Sequence, residues 1–304
     1  MRRALFPVDI VIILFGCLLS VINLIFLDSV QRWLIAVNVA ACIGIIALAY
    51  LRMKTEKPGV RFIHDWYPVL MIFLSFKEMY VIIQSLGRRD FDQELIAIDR
   101  WIFGMDPTVW LSHFSFPLLT EVLQIAYVSY YFLMLVIGYE LFKRNDRRNF
   151  SFIMFSFLYG FYLSYLGYLS FPAVGPRFTL HNFNSMNSEL PGLFLTNILR
   201  DIINAGESIP KDATNPIALA QRDVFPSGHA QMTLIAMYFA SLYKLKSRFV
   251  IYALGTLLII STVYLRYHYV IDVIGGVLFM LFTILTAPKF FALTENKPMP
   301  EEPG

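Results

Sequence analysis

Charge is scarce in this chain of 304 residues: 15% are Asp, Glu, Lys or Arg, while 57% are hydrophobic. An average soluble domain has about 25% charged and 45–50% apolar residues, so a water-soluble globule is excluded. About eight apolar spans of about 20 residues each would leave too little chain for a large soluble head beside the loops. Cysteine is nearly absent: Cys17 and Cys42 both lie inside apolar runs and offer neither a disulfide framework nor thiol chemistry. Dense positive charge is also missing. The net charge is +3 and the basic residues are spread over short loops, which excludes nucleic acid as a partner.

What is present is a series of long apolar runs. Windows of about 19 residues predict membrane helices over 9–27, 33–51, 67–86, 119–141, 150–171, 228–243, 249–267 and 270–288. Arg2 and Arg3 precede the first run, but its length and the lack of a small-x-small cleavage site mark it as a retained helix rather than a secretory signal. The basic groups Arg52, Lys54, Lys57, Arg61, then Lys143, Arg144, Arg147, Arg148, then Lys244, Lys246, Arg248 fall on alternate loops. The positive-inside rule therefore places both termini in the cytoplasm.

Two longer segments then face outward, toward periplasm, exterior or lumen. Segment 87–118 carries Trp101 and Trp110 with an Asp106-Pro107 helix-start signal, and is expected to lie along the interface. Segment 172–225 contains Leu195, Ile198, Leu199, Ile202 and Ile203 at helical spacing and can cover an outward site. Lys77 and Glu78 fall inside the third span on different helix faces, and a buried structural or pocket-lining role is expected for them. Tyr159, Tyr162, Tyr165 and Tyr168 of the fifth span read as packing residues or as the wall of a headgroup pocket.

Of five histidines, His64, His113 and His181 have no partner at helical spacing and read as solvated or interfacial. The other two differ. His229 ends Phe225-Pro226-Ser227-Gly228-His229 at the outer mouth of the sixth span, and His268 precedes Asp272 at i, i+4 at the start of the eighth. Proline ends a loop, serine caps a helix and glycine admits a ligand to free backbone N–H groups, which makes an anion seat. A carboxylate one turn from an imidazole can hold one ring nitrogen protonated and leave the other nucleophilic. The helix starts at 228 and 270 would both point positive ends at that seat. A helix cap with a chance histidine, a structural ion pair, or a metal site of His229, His268 and Asp272 are the competing uses of these side chains.

With Ser261 upstream of His268, these residues resemble the second and third signatures of the type-2 phosphatidic acid phosphatase superfamily, whose helical core is shared with the vanadium haloperoxidases. The resemblance implies an all-α polytopic bundle. Residues 1–58 would be two added transmembrane helices, 59–292 a six-helix catalytic core and 293–304 a disordered cytoplasmic tail. It also implies a lipid phosphatase or phosphotransferase in which His268 attacks phosphorus to form a phosphohistidine, Asp272 orients it and His229 protonates the leaving oxygen. Ser227 and Gly228 would bind phosphoryl oxygens. Neither metal nor cofactor is implied, and the chain has no tight Asp/Glu cluster suited to a two-metal site.

The sequence departs from the family pattern at its cations. Thr262 follows Ser261 where the family has arginine, and Ser170 stands where the first signature has lysine. Arg266 and Arg177, in Gly175-Pro176-Arg177-Phe178, are the expected phosphate-binding replacements, with Arg222 a further candidate. Arg266-Tyr267-His268-Tyr269 and the Gly175-Pro176-Arg177 loop resemble the inositol phosphorylceramide synthase branch, which implies a lipid alcohol acceptor in place of water. The expected partners are thus a membrane lipid phosphate and water or an alcohol. From another class, a lipid transporter or scramblase would need related halves and charges paired along a pathway, and neither is visible.

Overall fold

The computed structural model describes residues 5–26 and 32–295, and every regular element among them is helical. The order is α1 (Pro7–Phe26), α2 (Trp33–Lys54), α3 (Pro58–Leu86), α4 (Asp92–Phe103), α5 (Pro107–Ser112), α6 (Pro117–Val128), α7 (Tyr130–Lys143) and α8 (Arg147–Ser170). Then come α9 (Pro176–Thr179), α10 (Met186–Glu189), α11 (Thr196–Gly206), α12 (Pro216–Leu219), α13 (Gly228–Leu242), α14 (Arg248–Tyr264) and α15 (Val270–Thr294). Five of these are long and apolar enough to cross a membrane, or six if α6 and α7, bent by 46°, count as one span. All eight spans expected from sequence are helical. However, α13 has 15 residues and α14 has 17, short of the about 20 that a bilayer core requires. Leu293 and Thr294 still belong to α15, and the rest of the expected tail beyond Glu295 lies outside the described residues.

α8 is the centre of the bundle, buried along most of its length, and α1, α3, α7, α13 and α15 all pack on it. The added pair α1–α2 is tied to α3 by polar groups at two depths. Glu78 accepts from the amides of Asn23 (2.7 Å) and Asn38 (2.8 Å), while Asp9 accepts from the Tyr67 hydroxyl (2.5 Å) and the Phe6 N–H (2.8 Å). Inside an apolar bundle such groups must find partners within the protein, so these bonds fix the docking of α1 and α2. His64 is not interfacial as expected. It is buried in α3, 3.2 Å from Asp9, because the helix begins at Pro58 and carries His64 and Asp65 inward.

The break between α6 and α7 has a local cause: the Ser129 hydroxyl donates back to the Ala126 carbonyl (2.6 Å) and competes with the helical ladder. α3 and α7 both pack on α8, meet at Trp66 and Phe142 with ring centroids 6.1 Å apart, and flank a cleft beside Phe73 and Tyr131, whose centroids are 6.4 Å apart.

α13 and α15 meet where glycine permits it. The Ser227 N–H donates to the Asp272 carbonyl (2.9 Å), and a Cβ on Gly276 would stand 2.7 Å from the Ser227 carbonyl oxygen. Gly276→Ala therefore has to push the two helix starts apart. A loss of about 1–3 kcal/mol is expected, read as a lower thermal midpoint in detergent. An unchanged midpoint would show that this contact does not hold the two helices.

Candidate active site

The two predicted histidines converge at the end of the bundle where α13 and α15 begin, with ring centroids 5.7 Å apart. His268 lies in the connection between α14 and α15, outside either helix, so its relation to Asp272 is not the shared helix face expected. Its Nδ1–H donates to the Val224 carbonyl (3.0 Å), while Asp272 Oδ2 stands 3.5 Å from the same nitrogen. Val224 thus fixes the ring and its tautomer, leaving Nε2 free, and Asp272 adds a charge nearby. The Asp272 oxygen is chiefly occupied in accepting the Tyr269 N–H (2.7 Å) at the start of α15. Burial, with His229 and Arg177 close by, holds the His268 pKa well below the ordinary histidine value, which favours the neutral ring.

His229, in the first turn of α13, makes no hydrogen bond among the described residues and lines a cavity instead. Two tyrosines from either side of the α6–α7 break pack on it, Tyr127 at 4.5 Å and Tyr130 at 4.2 Å between centroids. Tyr127 stacks in turn on Tyr267 (4.4 Å), and the Arg177 guanidinium lies 5.0 Å from the Tyr267 ring. An aromatic ladder therefore joins the histidine to the arginine.

Ser227 caps α13 by accepting the Ala230 N–H (3.2 Å), and Gly228 packs so closely on the Tyr168 hydroxyl that a side chain could not fit. The first turn of α13 thus has the cap that the sequence suggested, while the Ser227 N–H is taken by the Asp272 carbonyl and the Gly228 N–H by the Tyr168 hydroxyl. The start of α15 is compensated from within. Its Val270 and Ile271 N–H groups both donate to Asp99, at 2.9 and 2.8 Å, so the protein supplies its own anion there.

The cations divide. Arg177 is buried beside the site and forms an ion pair with Glu207, with Asn204 3.2 Å away. Arg266 departs from the expected phosphate-binding role: it is turned toward Glu189, with which it pairs, and Met186; neither Arg266 nor Arg177 lines the cavity. The cause is its own backbone, held at φ 67 by the turn that ends α14. Arg222 is engaged by Asp90 at 2.9 Å. Lys77 lines the cavity and donates to the Gly206 carbonyl (2.5 Å), because the loop after α11 dips down to it.

The cavity holds about 330 Å³ and extends from Gly228, His229, Glu207 and Asp223 down to Trp66 and Met154, between α3, α7 and α8. Its walls are apolar and aromatic; Tyr165 and Tyr168 belong to it, whereas Tyr159 and Tyr162 bond to Thr286 and Ser75. Sequence reasoning missed Asp223, Glu207, Tyr127, Tyr130, Asp92 and Asp99. Only their placement in outward segments or beside the Ser129 break marks them, and neither is a motif. Among the described residues no three His, Cys, Asp or Glu side chains stand together as metal ligands.

Burial and the neighbouring Glu207 push the Asp223 carboxyl up to about 7, against Arg177 and Lys77. A carboxyl raised above its unfolded value of about 3.9 lends stability that is fully present below that value and is lost as pH rises through its folded pKa. The wild-type thermal midpoint should therefore decline between about pH 4 and 7 relative to Asp223→Asn. Parallel profiles for the two proteins would refute this assignment.

With this geometry in place, comparison with known proteins is direct. The chain is similar to a PA-phosphatase related-family protein of Dictyostelium discoideum, 30% identical over 190 residues covering 55% of this chain and 31% of that protein. It thus spans about a third of that relative's length. No solved structure matches. The family model of the PAP2 superfamily matches residues 93–286, from α4 through most of α15 and including both histidines, and the chain belongs to that superfamily.

Proposed function

We propose that the protein is a membrane-embedded phosphatase-type enzyme that takes the phosphoryl group of a lipid phosphate ester through His268. Its site opens to the exterior, periplasm or lumen, and both termini are cytoplasmic. The observation that carries this reading is that His229 lines the head of an apolar cavity and the His268 ring stands 5.7 Å from it. The lipid chain lies in that cavity, entering from the side between α3 and α7, and its phosphate rests on the first turn of α13.

His268 Nε2 attacks phosphorus as the bond to the lipid oxygen breaks, and His229 gives that oxygen its proton. A bound phosphate dianion beside His229 favours the protonated ring that this step needs. Water then attacks the phosphohistidine, His229 takes its proton, and phosphate leaves. The Val224 carbonyl holds His268 in the productive tautomer throughout. Arg177 steadies the phosphoryl oxygens, but only a ligand that outcompetes Glu207 reaches it. A doubly charged phosphomonoester does so better than a singly charged phosphodiester, so the reading favours lipid monoesters.

The test is phosphate release in EDTA by the detergent-purified protein from phosphatidic acid, lysophosphatidate, isoprenyl pyrophosphate and phosphatidylinositol. Release is expected from monoesters ahead of the diester. It should be abolished in His268→Ala and slowed by about 10²–10⁴-fold in His229→Ala. Arg177→Lys is expected to raise the inhibition constant of inorganic phosphate. Release that survives in His268→Ala, or that EDTA removes, would overturn the mechanism. Headgroup transfer to an added lipid alcohol, without phosphate release, would make the enzyme a phosphotransferase of the inositol phosphorylceramide synthase kind.

A further inference from the structure

A second cavity, of about 130 Å³, lies at the other end of the bundle, where the pair α1–α2 meets the N-terminal ends of α3 and α8. His64 and Asp65 also line it, and that end is remote from His229 and His268. α8 starts here at Arg147, and its far end, Tyr168, touches Gly228, about 30 Å away at 1.5 Å per residue. Three guanidinium groups line the cavity, from Arg52 of α2, Arg61 of α3 and Arg147 of α8. Its remaining wall is largely apolar, with Phe6, Pro68, Phe150 and Met154.

The carboxylates on hand do not match these cations. Asp65 is shared between Arg147 at 3.2 Å and Arg61 at 4.0 Å. Asp9 is spent on Tyr67, His64 and the Phe6 N–H. Arg52 has no carboxylate within ion-pair distance among the described residues; Asp65 and, more weakly, Glu56 act on it only through space. The Nε groups of Arg52 and Arg61 are both buried with no hydrogen-bond partner. A buried guanidinium N–H without an acceptor is costly, and the fork geometry of arginine matches the oxygens of a phosphate.

We infer that Arg52, Arg61 and Arg147 form a second phosphate-binding site, separate from the histidine site, whose apolar wall fits the glycerol and first chain carbons of an anionic phospholipid. A phosphate held there bridges α2 to α3 and α8, so it fastens the added helix pair to the core. This inference does not depend on turnover at His268.

The experiment measures thermal stabilisation of the full-length protein in detergent micelles doped with phosphatidylglycerol, with phosphatidylcholine, or with inorganic phosphate in the buffer. Phosphatidylglycerol is expected to raise the midpoint well beyond phosphatidylcholine. Arg52→Ala should weaken that effect about tenfold or more. Arg52 holds no ion pair, so this variant should keep the lipid-free midpoint, which separates lost binding from misfolding. His268→Ala, altered only at the other end, should keep the full lipid effect, as should Lys246→Ala, which removes an exposed cation at the same end. If inorganic phosphate alone stabilises in an Arg52-dependent way, the site stands and free phosphate is a sufficient ligand. Equal stabilisation of wild type and Arg52→Ala, or an equal loss in Lys246→Ala, would overturn the proposal by reducing it to general charge attraction.

Discussion

Carboxylates that accept backbone N–H groups hold together the end of the bundle where the histidines meet. Loops at the ends of apolar helices expose amides that water does not reach, and each has to be satisfied from within. Asp99 takes two amides at the start of α15, Asp92 takes those of Val174 and Gly175, and Glu121 takes those of residues 193–196 as they enter α11. Asp92 also accepts from the Tyr269 hydroxyl (2.8 Å), so α4, the Gly175 loop and the segment bearing His268 share one anchor. His268 can be held by a backbone carbonyl only because this scaffold fixes where Val224 and the α14–α15 connection lie.

The same device decides which helix end is left for a ligand. An acidic side chain already neutralises the start of α15, and α11 is capped by Glu121, while the first turn of α13 is capped by Ser227 without a charge. Among the described residues no carboxylate caps that turn, which lies next to His229 and the cavity. Arginine charge at this end is balanced just as locally, by Glu207 on Arg177, Glu189 on Arg266 and Asp90 on Arg222.

Features carried by residue type were legible in the sequence. Pro226-Ser227-Gly228-His229 states its own turn, cap and open backbone, and the apolar runs state the helices. What rests on backbone conformation was not. Nothing in Arg266 announces the positive φ that turns its side chain toward Glu189, and a backbone carbonyl such as that of Val224 has no sequence signature. α3 starts earlier than its hydropathy suggests because Arg61, His64 and Asp65 read as loop residues, whereas Asp9 and Arg147 pair with them inside the fold. Amphipathic α11 was visible from its spacing, but its orientation was not: Ile198 and Ile202 face outward, while Thr196, Arg200 and Ile203 are buried.

The break at Ser129 connects the scaffold to the cavity. A straight helix through 117–143 would present successive side chains at a constant 100° turn. Three residues span about 300°, so Tyr127 and Tyr130 share one face, and both pack on His229 across the bend of 46°. The cleft flanked by Phe73 and Tyr131 lies beside them, and aromatic rings line much of the cavity that reaches His229. The Ser129 hydroxyl, bonded back to its own helix, therefore marks the point where the two helices present their rings to His229.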